Sequence, residues 1–422
     1  MSKLIPILFS CVFFVASITG RAHAAHANSD GPYRIHVVTV GPGEELFTRF
    51  GHIALMVENM GTGERLVYNF GTFDFDDPKL RFKYARGFLN YWLSVANFDH
   101  FFYFYAQSNR DVWLQTLNLS QSEAAKMAHA LEKNALPENR YYLYRHFLDN
   151  CCTRVRDAID TSTDGAISKQ FKNEPVDRDF RYWTAKCLDG LPLYRAVILY
   201  SLGPAIDRPI TRWDEEFLPA VLMEDLDKVT VGRNHVPLVA KRQQLLKREG
   251  PPIGAHIPDV DLIVMAVLGL FVLLGFAVPL VAPSFFKDRS WSRRLLGVGL
   301  VFWGLLAGLG GLMLLLYWTA TTHYDTHYNE NLLVNPIFHL WLLGPGVALI
   351  VKARLRPLTQ RVIFWYLIAS LGLIAVDILL KIGPFFQGNW GTIAVATALD
   401  TAAFFALQRT GAIPNRLAFR NK

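Results

Sequence analysis

The sequence predicts an α+β exported domain followed by an all-α membrane domain of five spans. Three observations carry that expectation: an export signal at the N-terminus, a mixed polar and apolar stretch to about His256, and five long apolar runs beyond it. Of the 422 residues, 51% are hydrophobic and 19% charged. That is too apolar for a purely soluble protein and suits a membrane protein with a soluble part.

The opening "MSKLIPILFSCVFFVASITGRAHAAHA" has the parts of a secretory signal. Lys3 supplies the positive start, residues 5–19 the apolar core, and "AHAAHA" small-residue cleavage sites after Ala24 or Ala27. Residues 1–24 are therefore read as signal peptide, and Cys11 leaves with it. The exported chain keeps Cys151, Cys152 and Cys187, an odd number in a compartment where disulfides form.

Residues 28–256 read as the exported domain. "YRIHVVTV" is a short β-branched strand, and "GHIALMVEN", "GTG" and "ERLVYNFGTF" form a hairpin. "LSQSEAAKMAHALEKN" is a helix with a Ser120/Glu123 capping box. "NCCTRVRDAIDT" is a second helix, and short strands flanked by helices make an α+β domain. The aromatic run "DHFFYFYA" reads as a core strand or as a surface dipping into lipid headgroups. The core reading is favoured because Phe and Tyr dominate interiors as well as interfaces.

A Pro- and Gly-rich linker, "KREGPPIGAHIPD", leads into a transmembrane domain at 257–410. Runs at 262–283, 295–320, 332–351, 362–380 and 390–407 are each long enough, or nearly so, to cross about 30 Å of hydrocarbon as helices. "KDRSWSRR", "KARLRPLTQR" and the tail "QRTGAIPNRLAFRNK" are basic; the alternate loops "TTHYDTHYNEN" and "KIGPFFQGN" hold a single Lys between them. The positive-inside rule places the basic segments, including the tail 411–422, in the cytoplasm. The first span then starts outside, where the signal delivers the soluble domain. Topology thus accounts for the net charge of +7, and nucleic acid is excluded as a partner.

Chemistry concentrates in "HFLDNCCTRVRDAID". Asn150 is a good N-cap residue, which puts Cys151 in the first turn of a helix, where backbone N–H groups lower a thiol pKa and can hold an oxyanion. Cys151 shares a helical face with Val155, Ala158 and Ile159, whereas Cys152 is turned by about 100° and cannot face the same base. Buried filler is the competing reading of the pair, since free cysteines are often simply buried. Arg154, Arg156 and Asp157 read as a solvated or paired helix face. Among the histidines, His52 stands at the start of a strand beside a glycine that permits close backbone approach. If the hairpin turns about Gly61 and Thr62, Asn69 falls on the face of His52, one diagonal away; a one-residue slip would reverse it. Asn69 is the candidate orienting group, with Asp74 behind it.

"FGHIAL", "YNFGTFDF", "YWLS" and "FLDNCCTRVRD" together resemble the exported domain of the Lnb-type lipoprotein N-acyltransferases. That resemblance implies a permuted papain-like fold of the NlpC type, in which the His strand precedes the Cys helix. It implies Cys151 as nucleophile and His52 as base. Cys152 departs from the pattern, standing where a small polar residue is expected; a Cys152–Cys187 disulfide would leave Cys151 free. "THYNENLLVNP" is similar to a segment those proteins carry at the membrane–periplasm boundary. It implies His327, Asn329 and Asn331 as contacts to headgroup or acceptor.

The activity implied is transfer of a fatty acyl chain from a phospholipid, through a Cys151 thioester, to the N-terminal amine of a lipoprotein, in a multi-pass protein of the bacterial inner membrane. No metal or diffusible cofactor is required. Two alternatives stand beside it: a cysteine hydrolase of the envelope, acting on peptidoglycan stems or phospholipid, and a non-catalytic sensor or assembly factor. His323 and His327, four residues apart, suggest a metal but lack a third ligand. Asp377 and Asp400 fall within spans, where an acid is a functional candidate by default. Asp377 has Lys381 one turn on as its expected partner.

Overall fold

The computed structural model describes residues 33–414 apart from 74–78, 80, 81, 84, 85, 89, 233, 284–287, 384 and 385. The signal segment, Asp74 and residues 415–422 of the tail lie outside the described residues.

The first three strands are β1 (Tyr33–Val40), β2 (His52–Asn59) and β3 (Arg65–Thr72). They are followed by β4 (Asn90–Asn97), α1 (Phe98–Gln107), β5 (Val112–Leu117), α2 (Gln121–Ala135), β6 (Tyr141–Leu143) and α3 (Cys151–Ser162). Two-residue strands β7 (Thr230–Val231) and β8 (Val236–Pro237) form a separate ribbon, and β9 (Val239–Leu246) closes the main sheet. The order is β6-β4-β3-β2-β1-β5-β9, antiparallel throughout.

Both faces of this sheet are covered. Ile35, Val37, Ile53, Leu55, Tyr68 and Phe70 pack under α2 and α3, against Met127, Leu131, Val155 and Ile159. Val38, Val40, Ala54, Met56 and Val67 pack on the other face against Phe98, Phe101 and Tyr105 of α1. Two-sided burial explains why β1 and β2 are nearly continuous apolar runs without alternation. Each large side chain buried this way contributes about 1.5–3 kcal/mol. The Ser120/Glu123 capping box at the start of α2 is present.

One local expectation is corrected. "DHFFYFYA" belongs to a helix, α1, and not to a strand. The Asn97 side chain accepts from the Asp99 N–H and caps it. Helical spacing then buries Phe98, Phe101 and Tyr105 and leaves Tyr103 65% and Phe104 60% exposed. A strand would have hidden alternate residues instead.

Beyond α4 (Pro192–Ser201) and the linker, five apolar helices follow: α5 (Asp259–Val281), α6 (Arg289–Ala320), α7 (Asn331–Lys352), α8 (Pro357–Leu380) and α9 (Trp390–Arg409). Each is long and apolar enough to cross a membrane. Gly297, Gly304, Gly308 and Gly311 line the side of α6 that meets the chain from Asn335 to Ile350, where an added Cβ would strike backbone or side chain within 3 Å. Small residues let membrane helices approach this closely.

The two halves are locked by a polar seam. Asn329 Nδ2 donates to the carbonyls of Tyr200 and Ser201, both at 3.0 Å, and Asn331 Nδ2 to that of Tyr200 at 2.9 Å. Gln387 Nε2 donates to Leu202 O and to Asn329 Oδ1, each at 3.1 Å. Asn389 Nδ2 donates to Asn331 Oδ1 at 2.9 Å. The loops poor in Lys and Arg are thus on the side of the exported domain. At the other end Arg293 donates to the carbonyls of Thr410 and Ala353.

Inside the membrane half, Asp377 lies 3.5 Å from Lys381, which also pairs with Glu330. Asp400, unaccounted for by the sequence, accepts from Trp303 Nε1 at 2.8 Å and Ser370 Oγ at 2.6 Å, with His339 at 3.5 Å. Its carboxyl group is buried and hydrogen-bonded by two side-chain donors, as a polar group within a membrane requires.

Candidate active site

The site is built where α3 begins and where β2 and β3 end. Asn150 caps α3: its Oδ1 accepts from the N–H groups of Cys152 and Thr153, at 2.8 and 2.9 Å. Its Nδ2 donates to the carbonyls of His146 and Phe217, both at 2.9 Å. The expected cap is present, and the side-chain amide of Asn150 is engaged through both its oxygen and its nitrogen. The cap also takes the first-turn N–H groups of Cys152 and Thr153.

Burial pushes the Cys151 thiol up to about 11. Hydrogen bonds from the backbone N–H groups of Ile53, Cys152 and Cys151, and the charge of Arg110, pull it the other way. Cys151 is partly exposed, whereas Cys152 is fully buried in the main core. Cys152 thus fills space under the sheet, as the 100° turn between neighbouring helical residues demands. The conjectured Cys152–Cys187 disulfide is not made. All three cysteines are free, and Cys187 packs on a separate cluster around Phe180 and Phe217.

The register of the β2–β3 hairpin pairs Leu55 with Tyr68 and Glu58 with Arg65. Continued to the strand ends, it sets Gly71 across from His52 and Asn69 one diagonal away, as a turn about Gly61 and Thr62 requires. His52 Nε2 lies 2.7 Å from Asn69 Oδ1. With the amide oxygen facing it, Nε2 carries the proton and Nδ1 keeps a lone pair. Burial holds the imidazole down at about 4, against a smaller upward pull from Asn69. The resting pair is therefore a neutral thiol and a neutral imidazole.

Gly71 is the point where the three elements converge. A Cβ added there would lie 3.6 Å from Cys151 Cβ and 3.7 Å from His52 Cε1. Its φ of +99° is one that L side chains rarely adopt. Sequence reasoning marked the glycine before His52; the one that brings thiol and base together is on the opposite strand.

Two neighbours escaped the sequence. Tyr105 of α1 stacks on His52, ring centroids 6.1 Å apart. Arg110 stands over Tyr105 at 5.1 Å and donates from Nε to Gly41 O at 2.8 Å. It is 5% exposed and its Nη2 has no hydrogen-bond partner among the described residues. A buried cation lowers both the thiol and the imidazole pKa here. The only sequence signal was an Arg a few residues after an aromatic run.

His327, Asn329 and Asn331 are not brought to this cluster. Asn329 and Asn331 are buried in the seam, where their amide nitrogens donate to the carbonyls of Tyr200 and Ser201. His327 Nε2 lies 3.1 Å from Thr321 O. No group of three His, Cys, Asp or Glu side chains able to hold a metal occurs among the described residues.

No curated protein and no solved structure matches the chain. Residues 24–186 match the family model of the Lnb N-terminal periplasmic domain, and the five apolar helices after it fit an Lnb-type periplasmic domain joined to a transmembrane domain.

Proposed function

We propose that this protein is a membrane-bound cysteine acyltransferase, moving a fatty acyl chain from a phospholipid to the N-terminal amine of a lipoprotein. The observation that carries the reading is the convergence of Cys151, His52 and Gly71 at the end of the sheet, with Asn69 holding His52 by Nε2. The order of His strand before Cys helix supports a permuted papain-like arrangement. The basic segments, grouped at the end away from the periplasmic domain, support an inner-membrane protein with its C-terminal tail in the cytoplasm.

In the first half-reaction His52 Nδ1 takes the Cys151 S–H proton as sulfur attacks the ester carbonyl. The backbone N–H groups of Cys151 and Ile53, which favour a charged sulfur, support the developing oxyanion. The carbonyl–oxygen bond breaks, His52 returns the proton to the departing alkoxide, and a lysophospholipid leaves. In the second, the lipoprotein amine attacks the thioester, His52 removes its proton, and the C–S bond breaks. Amide forms and the proton returns to sulfur. A neutral thiol beside a neutral base suits a cleft with little water, because neither reacting group has to hold a charge at rest.

Intact mass analysis of the full-length protein incubated with phospholipid tests this. The expected result is a Cys151-dependent gain of one acyl chain, discharged by an amine acceptor. Adduct discharged by water alone would make the protein a lipase. No adduct, with peptidoglycan stems cleaved, would make it an envelope peptidase.

A further inference from the structure

A groove of about 640 Å³ runs along the end of α6 nearest the periplasmic domain. One wall is a single stripe of that helix, Leu309, Leu312, Met313, Leu316, Tyr317 and Ala320. The spacing of three and four residues keeps them on one face. From Leu309 to Ala320 the helix rises about 16 Å, roughly half of a hydrocarbon core about 30 Å thick. The stripe therefore spans one leaflet, the one facing the periplasmic domain.

The other wall comes from the chain between β3 and β4, through Phe82 and Arg86. Thr322 fastens this segment to the end of α6: its N–H and Oγ1 both donate to the Arg86 carbonyl, at 2.9 and 3.1 Å. The Arg86 guanidinium rests on the Phe82 and Phe88 rings at 5.7 and 5.3 Å and has no ion pair among the described residues. Phe82, Phe88 and Trp318 are all at least 40% exposed. Exposed aromatic rings at the end of a membrane helix mark headgroup level. An apolar channel one leaflet long, ending at headgroup depth in a cation with no ion pair among the described residues, is complementary to one ligand class: a lipid with an acyl chain and an anionic phosphate.

We propose that this groove seats an outer-leaflet phospholipid, its phosphate on Arg86 and one chain along α6, as the waiting acyl donor. The donor role rests on the transferase reading above; the seat itself does not. The segment that bears Arg86 leaves β3 next to Gly71, which packs against Cys151, so lipid seat and thiol share one stretch of chain.

The test uses the full-length protein in nanodiscs of phosphatidylglycerol carrying a diazirine in the acyl chain, with the crosslinked residues located by peptide mass analysis. Labels are expected to concentrate on 309–320, in the native protein and in Cys151→Ala alike. Leu312→Trp, which fills the groove at a lipid-facing position, is expected to lower that labelling about tenfold. Arg86→Glu is expected to lower it by a similar factor, about what loss of a charge-assisted contact costs. The same variant should not affect labelling by a diacylglycerol probe that lacks phosphate. That arm also separates a phospholipid from the phosphate-free diacylglyceryl group of a lipoprotein. Labels spread equally over 309–320 and 259–281 would mean ordinary annular lipid and overturn the seat, as would Arg86→Glu with no effect. Concentrated labelling in a protein that never acylates Cys151 would uphold the seat and sink only the transferase reading.

Discussion

The end of the sheet and the seam at the membrane are both clusters of His, Asn and neighbouring polar groups, and in the sequence both look functional. They differ in what is left over. In the seam the amides of Asn329, Asn331, Gln387 and Asn389 are engaged by carbonyls of the other half or by each other. At the sheet end the Asn69 oxygen satisfies one nitrogen of His52, the other keeps its lone pair, and Cys151 stays partly exposed. In the seam only the Asn389 oxygen among these amide atoms lacks a partner among the described residues; buried polar groups whose donors are spent on the fold hold a structure together, and groups held on one side and open on the other can act on a ligand.

The largest effect expected from this contrast is between adjacent cysteines. Cys151→Ala should abolish the acyl adduct while leaving the thermal transition near that of the native protein. Cys152→Ala should keep the adduct, since that side chain is fully buried in the core. An adduct surviving in Cys151→Ala would move the nucleophile elsewhere. Next comes the base. His52→Ala should slow adduct formation by about 10²–10⁴-fold, the range for a lost general base. Asn69→Ala, which frees the ring without removing it, should slow it about 10- to 100-fold, the cost of one buried hydrogen bond to a reacting group.

Much of this end of the molecule was legible in the sequence, and the reasons are local. Asn before a helix is a cap by residue type, and the hairpin register followed from its turn residues, so the cap by Asn150 and the meeting of His52 with Asn69 could be anticipated. The five spans followed from length and apolarity. Arg110 and Tyr105 were invisible because they approach the site through tertiary packing of α1 on the sheet, which no local pattern encodes. Asp400 was opaque for the same reason: its partners Trp303, Ser370 and His339 come from three other segments. The aromatic run was read as a strand because hydrophobicity without a clear period does not separate the two states. The bonds of Asn329 and Asn331 to Tyr200 and Ser201 were not legible, because a polar residue near a bilayer looks the same in sequence whether it faces headgroups or a neighbouring domain.

The seam supplies a weaker test with a different readout. Asn331→Ala removes the donor to Tyr200 O and the acceptor of Asn389, so about 1–3 kcal/mol of stability should go. Adduct formation per folded molecule should stay within about twofold. A thermal melt paired with the adduct assay separates the two outcomes. A variant that folds as well as the native protein but fails to acylate would place Asn331 in the substrate path and erase the distinction drawn between the clusters.

The smallest expected effect is an absence of change, and it probes the electrostatics directly. A solvated histidine titrates near 6.5, and its use as a base is lost as pH falls through that value. Burial holds His52 down at about 4. Its neutral form therefore persists well below 6.5, and the proton acceptor is removed only as pH approaches 4. The thiol, pushed up to about 11, remains protonated across the same interval and needs that base throughout. The initial rate of adduct formation should accordingly be flat from pH 8 to about pH 5.5 and fall only below that. An acidic limb centred near 6.5 would mean that water reaches the imidazole freely. The sheet end would then be an open polar groove, in which hydrolysis competes with transfer.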